Sequence, residues 1–565
     1  MLARLAFILA FILSVVSLAP AAAWACGGFF CNSATPVTQA AERILFARDG
    51  DQIEMHVQIT YSGPAVDFGW ILPTSADVET EVSTNSLFTR LDQRFTPQFN
   101  LIIEYTPGCE AIEEDFATGG MGAPPPSPVP DGPQVNVLSR EVVGPFDRVI
   151  LQADDVEVLF EWLRENEFQI PQAAAAALEP YIETSVFVAI KLLPGNDSND
   201  IRPLRLRFTA PTPAIPLRPT QVAADPDMGI IVYLLGPGRA VATNYRHVEV
   251  NEGAIRWERG GDHYIDVVSQ AVDEAGGQAF VTDYAGEHAN RTEELFTLKL
   301  DLDDLRAVRT LAGLVQFASE LRSPDLLDMV RAVISPPEGV DVDEVLRCPF
   351  CYEADAIAVD GEALAARIED ELLPMWEALT ALLAQHRVLT RLYSTMSPAE
   401  MTVDPAFDFN ADLGFIDNVH RAVMRLGCDE DGRPDYDNAT ITTPTGLLYL
   451  PDSEGAIERQ AGETVRGMDT MGAASIEQQF VAGQSEVEVD NRAALEALYG
   501  VAGPPGGGLG GAMEQGSPGG SPGEATGGGA DTGAGCGCRA SDDAPATGLF
   551  LGLLLLGGLT RRRRR

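Results

Sequence analysis

Between residues 53 and 61 apolar and polar positions alternate. Ile53, Met55, Val57, Ile59 and Tyr61 form one set and Glu54, His56, Gln58 and Thr60 the other. A period of two puts successive side chains on opposite faces, so the stretch predicts a half-buried strand. The preceding Arg48-Asp49-Gly50-Asp51 contains an Asp-Gly pair, which predicts a hairpin joining 43–47 to 52–61. Further strands are predicted at 68–72, 100–105 and 186–193, and at 204–208, where Leu204, Leu206 and Phe208 alternate with Arg205 and Arg207. Another at 230–235 leads through Gly236-Pro237-Gly238 into 241–245. Val156, Leu159, Phe160 and Leu163 have the spacing of one helix face. From 305 to about 392 the period becomes helical, through Leu311, Leu314, Val315 and Ala318, then 326–333, then 364–383 interrupted by Pro374. The segment 117–133, with Pro124-Pro125-Pro126, predicts an exposed loop. The class implied is α+β: a β-rich N-terminal half of hairpins and antiparallel strands, then a largely helical segment. The parts are 26–300 and 301–500.

The two ends of the chain read as addresses. Residues 1–25 carry one positive charge at Arg4, an apolar run over 5–18, and Ala23-Trp24-Ala25 before Cys26, the pattern of a secretory signal peptide. Cleavage after Ala25 would leave Cys26 at the mature N-terminus. That raises acylation of Cys26 as an alternative, although Ala23 and Trp24 stand where a lipoprotein site wants Leu and a small residue. Residues 502–535 contain 15 Gly and four Pro, so the 501–535 stretch predicts a flexible linker that cannot recover the entropy of ordering. Beyond it, in 536–565, come Cys536, Cys538, an apolar run over 547–560, and Arg561, Arg562, Arg563, Arg564 and Arg565. An apolar run ending in five arginines predicts a short transmembrane or stop segment with its basic end inside. Cysteine, apolar stretch and arginine cluster in this order resemble the myxobacterial C-terminal sorting signal called MYXO-CTERM. The resemblance implies a sorting protease in addition to signal peptidase, and display on the cell surface through the tail, with Cys536 or Cys538 as the processed residue.

The chain has 565 residues, 45% of them hydrophobic, with 39 basic against 83 acidic side chains and a net charge of -44. Such a charge repels phosphate backbones, which excludes a nucleic-acid partner as the expectation. Six cysteines lie in the body: Cys26, Cys31, Cys109, Cys348, Cys351 and Cys428. An even number fits disulfide bracing in an oxidising compartment, with connectivity left open. Several segments resemble a bacterial domain-of-unknown-function family, number 2330: 25–31 (ACGGFFC), Glu42-Arg43-Ile44, 56–61 (HVQITY), 67–73 (DFGWILP), 276–286 (GGQAFVTDYAG) and 390–407 (TRLYSTMSPAEMTVDPAF). The resemblance implies an exported envelope protein and transfers no catalytic residue.

Candidate chemistry is sparse. Cys348-Pro349-Phe350-Cys351 has the spacing of a thiol-disulfide site, but the acidic residues Asp341, Asp343 and Glu344 disfavour a thiolate, so a structural disulfide is expected. No partner set for zinc accompanies it. Asp429, Asp431, Asp435 and Asp437 could offer oxygens to calcium, the one candidate ion; a solvated acidic turn is the competing expectation. Asp301, Asp303 and Asp304 read as charges at a helix N-terminus, and Trp70 reads as core. A nucleophile would need a Ser or Cys with a convergent His; no Gly-x-Ser-x-Gly pattern occurs within the 26–500 body and no His-Glu-x-x-His pattern occurs at all. The expectation is therefore an exported, surface-anchored, non-catalytic envelope or ligand-binding protein. The alternatives are an exported enzyme of unrecognised mechanism and a thiol-disulfide oxidoreductase using Cys348 and Cys351.

Overall fold

A ten-stranded mixed sheet forms the centre of the molecule in the computed structural model. The structure describes residues 38–62, 68–105, 136–166, 168, 173–193, 201–429, 432–449 and 471–501. In chain order the strands of this sheet are β1 (Thr38–Asp49), β2 (Gln52–Ser62), β3 (Glu79–Val82), β4 (Leu204–Thr209), β5 (Ala224–Gly236), β6 (Arg246–Val250), β7 (Ala279–Glu287), β8 (Val388–Met396), β9 (Ala473–Gln478) and β10 (Glu486–Asp490). Their spatial order is β10-β9-β6-β7-β8-β5-β1-β2-β4-β3. The β1–β2 hairpin forms as the alternation predicts, with Asp49 opposite Gln52 and Gly50 turning at φ 62°, where a Cβ would be strained. The β1–β5 and β6–β7 pairs are parallel; the other pairs within the sheet are antiparallel.

Both faces of the sheet are covered, which is why its middle strands show little alternation. On one face Ile44, Phe46, Met55 and Val57 pack against Trp70, Phe146, Val188 and Ile190 of a four-stranded sheet made by Gly69–Thr74, Val186–Leu192, Phe146–Gln152 and Asn136–Val143. On the other, Leu45, Ala47, Tyr233 and Leu389 meet helices. Four helices matter below: α1 (Ser86–Phe95), α2 (Val156–Glu165), α3 (Tyr264–Glu274) and α4 (Leu373–Gln385). Helix α2 starts where the sequence places it, capped by Asp155, and its Leu159, Trp162 and Leu163 cover the outer face of the smaller sheet. Asp301 caps the helix Leu302–Arg306 by accepting from the Asp303 and Asp304 backbone, as its position suggests. Trp70 is core. No helix among the described residues is long and apolar enough to cross a membrane.

The helical run departs from expectation at two points. Pro374 does not interrupt it: a π-turn over Ile368–Leu372, closed by the Leu373 N–H on the Ile368 carbonyl, absorbs the clash a proline makes with the turn before it. The run also stops at Gln385. Residues 388–392, read as its end, belong to β8, which is buried at all nine positions between β7 and β5. A strand covered on both faces loses its period of two, so a short apolar run does not separate it from a helix.

Polar side chains are buried across these central strands. A bulge in β7 between Thr282 and Tyr284 makes Asp283 an extra residue, and its carboxylate pairs with Arg391 of β8. Asp283 also accepts from Tyr264 Oη of α3 at 2.5 Å. Arg391 Nε donates to Tyr233 Oη at 3.2 Å, Tyr233 donates to Asp92 of α1 at 2.6 Å, and Asp92 pairs with Arg43 of β1 at 3.1 Å. A second buried group joins His247, Arg239 and Thr282, with 3.3 Å from Arg239 Nη2 to His247 Nε2. A guanidinium only donates, so Nε2 accepts and the ring is neutral. Burial, and then the Arg239 charge, push His247 down to about 3.

In the unfolded chain His247 titrates near 6.5, so between about 3 and 6.5 the unfolded state holds more protons and acidification destabilises the fold. Urea midpoints should fall from about pH 7 to about pH 4, and His247→Gln should make that slope shallower. An unchanged slope in the variant would contradict the assignment.

Candidate functional site

The edge strands β2, β4 and β3 carry a ladder of charged side chains on the face turned toward the helices. The antiparallel registers set His56 opposite Arg205 and Arg205 opposite Glu81, with Glu54 opposite Arg207 and Arg207 opposite Glu79 in the next row. Opposite charges facing one another across neighbouring strands favour this register, because a slip of one residue would turn each row onto the apolar face. Ser83, just past β3, is held by its backbone N–H on the Pro203 carbonyl at 2.6 Å.

Six of these groups are connected. Ser83 Oγ lies 2.7 Å from His56 Nδ1, and His56 Nε2 lies 3.0 Å from Glu54 Oε1. Glu54 accepts from Arg205 Nε at 2.8 Å, Arg205 Nη2 at 3.0 Å and Arg207 Nε at 2.9 Å, while Arg205 Nη1 donates to Glu81 at 2.8 Å. Burial pushes the Glu54 carboxyl up, but hydrogen bonds from His56 and Arg207 outweigh it and hold the group below its ordinary value. An ionised Glu54 only accepts, so His56 carries a proton on Nε2, and in the neutral ring Nδ1 is the nitrogen that accepts from Ser83. His56 and Ser83 are each 1% exposed.

The chain of groups forms one wall of a cleft of about 280 Å³. Its polar side is Glu54, His56, Glu81, Ser83 and Arg205, and its apolar side is Val82 with Pro374, Met375, Ala378 and Leu379 of α4. A concave apolar surface with a few convergent polar groups is the usual form of a small-molecule site. A larger groove of about 470 Å³ lies along α1 and is lined by Arg90, Arg94, Glu294, Lys299 and Trp376 among others. Its main buried cation, Arg90, is occupied: it lies 4.4 Å over the Trp376 ring and donates to the Leu295 carbonyl. No histidine or cysteine lines that groove.

The residues singled out from the sequence do not converge on this cleft. Cys348 and Cys351 are bonded to one another, and Cys428 is disulfide-bonded to a partner outside the described residues. Cys348 stands at the C-terminal end of the helix Val342–Arg347, where the macrodipole disfavours a thiolate. Asp429 accepts the Arg433 N–H at 2.8 Å, closing the turn between the strands Val419–Cys428 and Pro434–Thr442. Asp435 lies opposite Gly427 in that pairing, and Asp437 falls within the second strand. Among the described residues no group of three or more His, Cys, Asp or Glu could hold a metal ion. Asp431, Cys26, Cys31, Cys109, Cys536, Cys538, Arg561 to Arg565, the terminal apolar runs and the 117–133 segment lie outside the described residues.

The sequence reading missed Ser83 altogether and used His56 and Glu54 only for their alternation. That alternation already placed Glu54 with His56, and Arg205 with Arg207, on one strand face each. What it lacked was the order of β2, β4 and β3, which brings them together from distant segments.

A family model described as an uncharacterised protein conserved in bacteria (DUF2330) matches residues 20–305, just over half of the chain. The match includes Glu54, His56, Ser83 and Arg205 and ends before α4 and β8. No curated protein and no solved structure matches.

Replacing Glu54 by Ala removes the acceptor shared by His56, Arg205 and Arg207. Stability should fall by roughly 1–3 kcal/mol in urea unfolding, an amount typical of losing hydrogen bonds to a charged group. A loss below about 0.5 kcal/mol, the range of neutral surface changes, would show that the ladder does not hold the edge strands.

Proposed function

Because the chain belongs to this bacterial family, which is described only as uncharacterised, we propose a role from the chain's own features: an exported protein, tethered at the cell surface through its C-terminal tail, whose body captures a small ligand in the cleft under α4. The cleft carries this reading, since it sets a charged row of strand side chains against an apolar helix face. Export is supported by the apolar run ahead of Ala23 and Ala25 and by disulfide-bonded Cys348, Cys351 and Cys428, which suit an oxidising compartment. Tethering is supported by the Gly-rich 501–535 stretch followed by Cys536, Cys538, an apolar run and five arginines, the order seen in MYXO-CTERM tails. In this reading signal peptidase and a sorting protease are processing partners, and the acidic body faces outward. The Cys348–Cys351 bond braces a surface turn and does not exchange with substrates, consistent with its place at a helix C-terminus.

Deleting residues 536–565 should release the protein into the medium, whereas the full chain should sediment with cells and be cut by protease added outside. Retention of the truncated protein on cells would contradict the tether, and protection of the full chain from external protease would contradict display.

A further inference from the structure

We infer that Ser83, His56 and Glu54 form a nucleophile, base and orienting carboxylate, and that the cleft hydrolyses short-chain carboxylic esters. The inference rests on the reading of this cleft as the ligand site and adds a reaction to it.

The order of the hydrogen bonds is the argument. Ser83 Oγ reaches His56 Nδ1 at 2.7 Å, and His56 Nε2 reaches Glu54 at 3.0 Å, both within the distance a working nucleophile and base require. Glu54 fixes the tautomer that leaves Nδ1 free to take the serine proton. It is itself fixed by Arg205 and Arg207, so it cannot turn away from the ring without giving up three donors. The ring nitrogens are used in the reverse sense to the best-known serine enzymes, but the array is defined by roles and geometry and not by atom names.

The wall beside the serine has what the reaction needs next. Of the five N–H groups of Arg205, which lines the cleft, three are spent on Glu54 and Glu81, so two remain as the donors we assign to an oxyanion. Met375, Ala378 and Leu379 of α4 offer an apolar bed for an acyl chain. A volume of about 280 Å³ lies just below the usual range of ligand sites, about 300–1,000 Å³, and so selects short acyl groups.

The chemistry balances without a metal or redox partner. Ser83 Oγ attacks the ester carbonyl carbon as its proton passes to His56 Nδ1. The carbon–oxygen bond to the alcohol breaks, and the leaving oxygen takes that proton. Water then attacks the acyl-serine, gives a proton to His56 Nδ1, and the carboxylic acid departs as the proton returns to Ser83. The sum is ester plus water giving acid plus alcohol.

The test uses the full chain, a fluorophosphonate probe and p-nitrophenyl acetate, butyrate and octanoate. One probe per chain should bond to Ser83, mapped by peptide mass, and the acetate and butyrate should be cleaved faster than the octanoate. Ser83→Ala should lose the label and at least about 100-fold in hydrolysis, with its thermal melt retained. His56→Gln should lose about 100-fold in labelling rate. Glu54→Gln, at a positioning residue, should lower kcat while KM stays put, a split that mere loosening of the fold would not give. Absence of label on folded wild-type protein, or hydrolysis that survives Ser83→Ala, overturns the inference. Binding is read separately, as the rise in melting temperature that butyrate esters give. A rise without labelling overturns only the nucleophile, and its abolition by Met375→Trp places the ligand in the cleft. With neither a rise nor labelling, both the reaction and the ligand reading fall.

Discussion

A guanidinium and a carboxylate buried in the middle of a sheet must find each other, and in this molecule that requirement shapes the strands around them. Asp283 and Arg391 have side chains 0% and 6% exposed. Either charge left alone there would cost several kcal/mol, so the folded state strongly favours having both in register. The register is bought with a bulge in β7, which turns Asp283 toward β8 and sets Tyr264 of α3 against the same carboxylate. Arg391 in turn orients Tyr233, and Tyr233 engages Asp92 and through it Arg43. Three adjacent strands and two helices are thereby tied by hydrogen bonds, and β1 by an ion pair, contacts that apolar packing alone does not supply.

The cleft depends on this arrangement at one remove. β1 is joined to the central strands by its parallel ladder with β5 and by the Arg43–Asp92 ion pair, β2 is hairpinned to β1, and β4 and β3 follow in order. The ladder of Glu54, His56, Arg205, Arg207 and Glu81 is therefore an edge feature resting on a rigid base, as a site needs for its geometry to persist. The helix that completes the cleft comes from far along the chain, in the covering layer whose Trp376 and Leu379 pack with Leu45 and Tyr233 against the sheet. Arginine suits both settings, since its planar fork can serve two carboxylates at once, as Arg205 does with Glu54 and Glu81.

Much of the β-rich half could be read from the sequence because its edge strands alternate. The β1–β2 hairpin, the Leu–Arg alternation of β4, helix α2 and the Asp301 cap all follow from local rules acting on exposed or half-buried residues. β8 could not be read that way, because it is covered on both faces and its Arg391 and Ser394 are satisfied by tertiary partners that no local pattern announces. The candidate site was half visible for the same reason. Alternation gave the facing of Glu54 and His56, whereas Ser83 gained meaning only once strand order set it beside them. The cysteine spacing that drew attention in the sequence led to a surface turn.

The most direct test of this account is a double-mutant cycle on Arg391→Met and Asp283→Asn, followed by urea unfolding. Each single change should cost about 3–5 kcal/mol by stranding a buried partner, and the double mutant should recover about 2 kcal/mol or more of the summed loss. Additive losses within about 0.5 kcal/mol would mean that the two side chains act independently and that the central sheet is held by packing alone.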